Sequence, residues 1–219
     1  SGTVDAGILA PADVTVSASA DLGVTAPPGG TDVTFELRGV EGAMLDSVTT
    51  TVAEGDSAAS VEFAPQAALD ERQSYTVTVD APGYETTELT RSTPGAPGAD
   101  EAVEFGTLAA EDTQVTVEAA LGVTAPAGGV DVTVAVAVPG GEPVERTVSL
   151  AAGDGSISET FTVAAIDAAD DYAVTVSAPD YADATGTGYA APGESGTVDA
   201  GILAPADVTV SASADLGVT

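Results

Sequence analysis

Cysteine, histidine, lysine, asparagine and tryptophan are all missing from this 219-residue sequence, and each absence excludes something. Without cysteine no disulfide can staple the fold, and thiol redox chemistry is out of reach. Without histidine or cysteine the preferred ligands of zinc and the transition metals are gone. A serine nucleophile would have only a carboxylate to activate it, and no G-x-S-x-G turn occurs. A phosphate-cradling loop needs lysine as well as glycine, so that class falls too. A Lys–Asn isopeptide cross-link and N-glycosylation are both impossible, which leaves Ser and Thr as O-glycan acceptors. No enzyme is expected, and no cofactor other than a hard cation.

Basic residues are scarce as well. Arg38, Arg72, Arg91 and Arg146 stand against 35 acids, for a net charge of −31. The excess is even: residues 11–108 carry 17 acids and three Arg, and residues 109–204 carry 15 acids and one Arg. Charge spread this uniformly belongs to the whole surface. It argues against nucleic acid and anionic membranes as partners and for inorganic cations gathered at the acidic surface. The composition resembles that of proteins from salt-loving microbes. Lacking Lys and Asn, both spelled by A-rich codons, it also fits a GC-rich genome such as a haloarchaeon's. An acidic secreted protein of a GC-rich actinobacterium or a marine bacterium is the alternative. No run approaches 18 apolar residues and no signal-peptide pattern is visible.

What is present is repetition. Residues 1–25 return letter for letter as residues 195–219, so the sequence restarts after 194 residues. A weaker half-period lies inside. Leu22-Gly23-Val24-Thr25-Ala26-Pro27 returns as Leu121-Gly122-Val123-Thr124-Ala125-Pro126, and Tyr75-Thr76-Val77-Thr78-Val79 as Tyr172-Ala173-Val174-Thr175-Val176. Two diverged modules are expected, 11–108 and 109–204, each near the usual domain size. Residues 1–10 then read as the last strand of a preceding module and 205–219 as the first strand of a following one. Two explanations stay open: a segment of a longer periodic chain, or subunits that exchange strands.

Period-two alternation dominates. Seven runs are expected per module, with Thr, Ser, Asp and Glu between apolar positions, as in strands with one dry and one wet face. In the first module they include Val14–Ala18, Val33–Leu37, Tyr75–Val79 and Tyr84–Leu89, and in the second Val132–Val138, Tyr172–Val176 and Tyr181–Thr185. Four Phe, five Tyr and one Met leave Val and Ala to fill the interior, which suits thin two-sheet packing. The fold class is therefore all-β: tandem seven-stranded antiparallel β-sandwich, Ig-like modules. Short joints such as Leu108-Ala109-Ala110-Glu111-Asp112 contain no Gly/Ser tract and predict a semi-stiff rod.

Leu69-Asp70-Glu71-Arg72-Gln73-Ser74-Tyr75-Thr76-Val77-Thr78-Val79 resembles the tyrosine-corner segment of fibronectin type III and other immunoglobulin-like sandwiches. Ala81-Pro82-Gly83-Tyr84 is similar to the closing strands of transthyretin-like modules. The first resemblance implies that Leu69 plugs the core while the Tyr75 hydroxyl bonds back to the corner, with Ile166 and Tyr172 repeating the pair. Neither resemblance implies catalysis.

Calcium is the one ligand the residues could suit, since hard cations take loop carboxylates and carbonyls. Asp167, Asp170 and Asp171 cluster before Tyr172, and Asp56 and Asp154 sit at matching turns, the former beside Glu54. No EF-hand pattern accompanies them, and the remaining acids read as a solvated face. Tyr84, Tyr181 and Tyr189 read as rim or inter-module contacts, with sugar stacking the alternative. The expected function is structural: a repeat region of an extracellular filament or cell-surface stalk, self-associating head to tail. An adhesin whose binding tip lies elsewhere and a surface-layer component are the alternatives.

Overall fold

A computed structural model describes residues 12–66, 69, 74–91 and 98–207. The terminal strands expected over 1–10 and from Val208 onward lie outside the described residues, as do Asp70–Gln73 of the corner segment.

Two sets of seven strands are present among the described residues, and the all-β sandwich architecture is the one expected. In the first set, β1 (Thr15–Asp21) lies between β4 (Ala58–Glu62) and β7 (Asp100–Thr107). The facing sheet runs β3 (Met44–Val52), β2 (Thr31–Arg38), β5 (Tyr75–Asp80), β6 (Thr87–Arg91). The second set repeats this order. There β8 (Thr113–Leu121) lies between β11 (Ser156–Val163) and β14 (Ser195–Leu203). The other sheet is β10 (Val144–Leu150), β9 (Val130–Ala137), β12 (Tyr172–Ser177), β13 (Ala184–Gly188).

Pairing departs from the all-antiparallel expectation at one place in the first set. β1 and β7 are parallel, with Thr15 opposite Asp100 and Ser19 opposite Glu104. Parallel neighbours cannot be joined by a tight turn, and here five intervening strands make the connection. The second set shows the same sense: Gln114 N–H donates to the Glu194 carbonyl and Gly122 N–H to that of Leu203, so contact advances in one direction along both strands. The first two strands of each set fall in different sheets, whereas an antibody-type sandwich places them together. The Ig likeness is thus one of architecture rather than of strand order.

Alternation explains why these segments are strands. Val16, Ala18 and Ala20 of β1, Val33, Phe35 and Leu37 of β2, and Tyr75, Val77 and Val79 of β5 are buried. Each such branched or aromatic side chain contributes about 1.5–3 kcal/mol on burial. The intervening threonines pair across strands on the wet face, Thr34 with Thr49 at 2.9 Å and Thr76 with Thr90 at 3.1 Å. Phe35 meets Phe105 at 6.2 Å with the two rings tilted by 56°. In the second set Val132, Val134, Val136, Val174 and Val176 do the same work beside Phe161 and Tyr172.

The sixth strands begin later than the alternation indicates, at Thr87 and Ala184 rather than Tyr84 and Tyr181. A turn intervenes in each. Tyr84 N–H closes on the Ala81 carbonyl at 3.1 Å, and Tyr181 N–H on that of Ala178 at 3.2 Å. These tyrosines instead bridge the segments after β7 and β14, at Ala110 and Pro205.

Each sandwich is tied across its open edge by one side chain. Asp46 of β3 accepts the Ala64 N–H at 2.9 Å. In the second set Arg146 of β10 donates to the Thr160 carbonyl at 2.8 Å and lies 5.0 Å over the Phe161 ring. Arg146→Ala loses both contacts and should destabilise by about 0.5–1.5 kcal/mol, read as a lower thermal midpoint.

The chain divides into two compact units. The first takes the chain up to Gln114 with Thr162–Asp171 and Tyr189–Ser195, and the second takes Val115–Phe161, Tyr172–Gly188 and the remainder from Gly196.

Candidate interaction site

The acids singled out by the sequence mostly build turns. The Asp56 carbonyl accepts the Ala26 N–H at 2.8 Å, and the Asp154 carbonyl accepts that of Ala125 at 2.7 Å. The Asp154 carboxylate also accepts the Ala151 N–H at 3.1 Å. Asp170 donates its N–H to the Asp167 carbonyl at 2.9 Å, and the Asp170 and Asp171 side chains face solvent. Among the described residues no three acidic side chains converge as a hard cation would require.

Leu69, Tyr75, Ile166 and Tyr172 are all buried. The Tyr75 hydroxyl has no hydrogen-bond partner among the described residues, and burial pushes its phenol up, with the Glu101 carboxylate adding to this and Arg91 opposing it. An unpartnered buried hydroxyl costs about 1–3 kcal/mol, so Tyr75→Phe should leave the thermal midpoint unchanged or raise it. A back-bond to the corner would instead make that substitution lower the midpoint.

Unit 1 contains a tightly built contact that involves Asp167. The Thr25 N–H donates to Asp167 Oδ1 at 2.8 Å, and the Ala168 N–H donates to Thr25 Oγ1 at 2.9 Å. This reciprocal pairing satisfies two backbone donors with two side-chain acceptors, as a capping box does at a helix start. Nearby, Glu111 N–H donates to the Gly83 carbonyl at 2.9 Å, and Gly193 N–H to the Glu111 carbonyl at 3.3 Å. Gly83 has φ +78°, and a Cβ there would lie 2.1 Å from the Pro192 carbonyl oxygen. Only glycine permits both that dihedral and that approach.

Tyr84 closes the same region at 4% exposure. Burial pushes its phenol up to about 12, with Tyr189, Asp21 and Asp167 adding to the effect. Because the unfolded phenol ionises near the ordinary value of about 10, the stability tied to neutral Tyr84 is complete below that pH. It is lost as pH climbs through the folded value. In an ultraviolet titration one phenol should therefore ionise near 12 together with alkaline unfolding, and Tyr84→Phe should remove that step.

Unit 2 presents the matching residues uncovered. Val24, Thr25 and Pro27 are half-buried in unit 1, but their counterparts Val123, Thr124 and Pro126 are exposed, Val123 to 51%. Tyr181, the counterpart of buried Tyr84, is only half-buried. These residues, with Gly129, Asp131, Pro179 and Asp180, line a cleft of about 750 Å³. The corresponding cleft of unit 1 is about 320 Å³ and is lined in part by Ala191, Pro192 and Glu194. The sequence singles out neither Thr25 nor Gly83 as a contact residue. The signal that could have exposed them is the aligned pair Gly83 and Asp180, where one repeat forbids a side chain and the other carries one.

No protein-family model matches the sequence, and no curated protein does. Among solved structures, 86% of the chain is similar to 33% of the Bacillus anthracis TIE protein, at 11% identity and TM-score 0.37. The chain thus spans about a third of that protein. It is also similar, over 91% of its length, to the whole shaft pilin SpaA of Lactobacillus rhamnosus GG, at 14% identity and TM-score 0.29. Over 90% of its length it is similar to 98% of the major pilin protein of Streptococcus pyogenes, at 9% identity and TM-score 0.31. Superpositions this loose leave the chain's own residues to carry its function.

Proposed function

We propose that this chain is a structural repeat region of an extracellular filament or cell-surface stalk, without a catalytic role. The observation that carries the reading is the verbatim restart at Ser195. β14, which completes the second sandwich, is spelled with the sequence that opens the chain, and the strand leads on with no flexible linker. A polypeptide that repeats this way adds length rather than a new site. Seven-stranded sandwiches in succession, with short Ala/Pro joints, suit a semi-stiff spacer.

The acidic surface supports the same reading. With 35 acids and four Arg, the chain repels nucleic acid and anionic lipid and draws a diffuse layer of inorganic cations. No helix among the described residues is long and apolar enough to cross a membrane. Immunogold labelling of intact source cells with an antibody to this chain tests the proposal. Label on surface filaments or stalks, at regular axial intervals, is the expected result, and label confined to the cell interior would overturn it.

A further inference from the structure

The cleft at Val123, Thr124, Pro126, Asp180 and Tyr181 is the uncovered counterpart of a surface that unit 1 keeps covered. We propose that it is a docking socket for a second copy of this chain's own repeat, an inference that rests on the filament reading and gives it a residue-level contact.

The repeat itself supplies the argument. Leu22–Pro27 and Leu121–Pro126 are identical Leu-Gly-Val-Thr-Ala-Pro runs, and both are held by the same turn contacts, at Asp56 and Asp154. Yet Thr25 holds Asp167 and the Ala168 N–H, while Thr124 is exposed. An apolar Val and a half-buried Tyr beside an exposed Thr make a surface suited to a loop carrying one carboxylate and one free backbone N–H, the partners that the equivalent Thr25 takes. The segments that fill the unit 1 surface are Ile166-Asp167 and Pro192-Gly193. Both recur in the sequence at matching places, as Leu69-Asp70 and Pro97-Gly98, so another copy of the repeat carries the same two dipeptide patterns.

One residue sets the two surfaces apart. Asp180 replaces Gly83 and adopts φ +66°, strained for a residue with a side chain. In unit 1 no side chain fits at that position, so Asp180 must hold an incoming loop further out. The larger volume of the unit 2 cleft agrees with this. The contact is heterologous, joining one end of a repeat to a different end of the next, and therefore does not close on itself.

The test uses the full chain, in sedimentation equilibrium at high salt, as wild type and as Val123→Glu, Thr124→Val and Asp180→Gly. Val123→Glu sets a carboxylate against the incoming one, and Thr124→Val removes the hydroxyl acceptor. The expected result is open-ended association of the wild type, weakened by about tenfold or more in the first two variants and strengthened in the third. Asp180→Gly guards against misfolding as the cause, because it restores the unit 1 residue and relieves strain. A wild type that stays monomeric at about millimolar concentration, or association unchanged by all three substitutions, would overturn the socket. A socket that fails while surface label still marks filaments leaves the filament reading standing, since that labelling does not depend on these residues.

Discussion

Raising NaCl from about 0.05 M to about 2 M should raise the thermal midpoint of this protein by on the order of 10 °C. Residues 11–108 and 109–204 each carry a net charge of −14 (three Arg against 17 acids, one Arg against 15), and only two ion pairs occur among the described residues, Arg38 with Glu36 and Arg146 with Glu159. Folding therefore brings together carboxylates that the unfolded chain holds apart. At low salt the screening length exceeds about 10 Å, so a carboxylate on one strand feels those on its neighbours. At molar salt the length falls to about 3 Å and the repulsion is largely removed. A relief of about 2 kcal/mol in a sandwich near 100 residues corresponds to a shift of that size. The core resists repulsion weakly, being built mainly from Val and Ala. A midpoint that does not move would count against a salt-rich habitat and against the view that surface charge limits stability here.

The second large effect should come from Gly83. Gly83→Ala places a methyl 2.1 Å from the Pro192 carbonyl oxygen, with the Pro192 carbonyl carbon at 2.7 Å, on a residue already at φ +78°. The left-handed dihedral alone costs about 1 kcal/mol, and displacing rigid backbone adds about 1–3 kcal/mol. A loss of about 2–4 kcal/mol is expected in chemical denaturation. Gly29→Ala provides the contrast, because nothing lies within 4 Å of its would-be Cβ at φ +95°. That substitution isolates the dihedral cost. Equal losses at the two positions would mean that the packing around Gly83 is slack.

Much of the fold was legible because its physical signal is local. Val16-Ser17-Ala18 and Val33-Thr34-Phe35-Glu36-Leu37 can bury one face only as strands, and both do. The strand order was not legible. Nothing in the residues of β1 says whether it will lie beside β2 or between β4 and β7, since that choice depends on how two sheets close around a shared core. The starts of β6 and β13 were missed for a related reason. Tyr84 and Tyr181 continue the alternation in sequence, but their backbone groups close turns and bridge the segments beyond β7 and β14.

The interaction site was legible only in part. Asp167 stood out as an acid before a core tyrosine and invited comparison with calcium loops. Its structural role is to accept a backbone N–H from Thr25, 142 residues away in sequence. Short-range spacing cannot reveal such a partner. Thr25 and Thr124 share an identical local sequence and differ only in what covers them, a property of the fold alone.

The measurement that bears most directly on the periodic structural reading is the size of the native material, by denaturing mass analysis followed by light scattering without denaturant. Assemblies of open-ended length are predicted. Their polypeptide should run far above 21.2 kDa if the repeat is continuous, or near it if subunits exchange strands. A closed, monodisperse monomer of 21.2 kDa under native conditions would contradict the account.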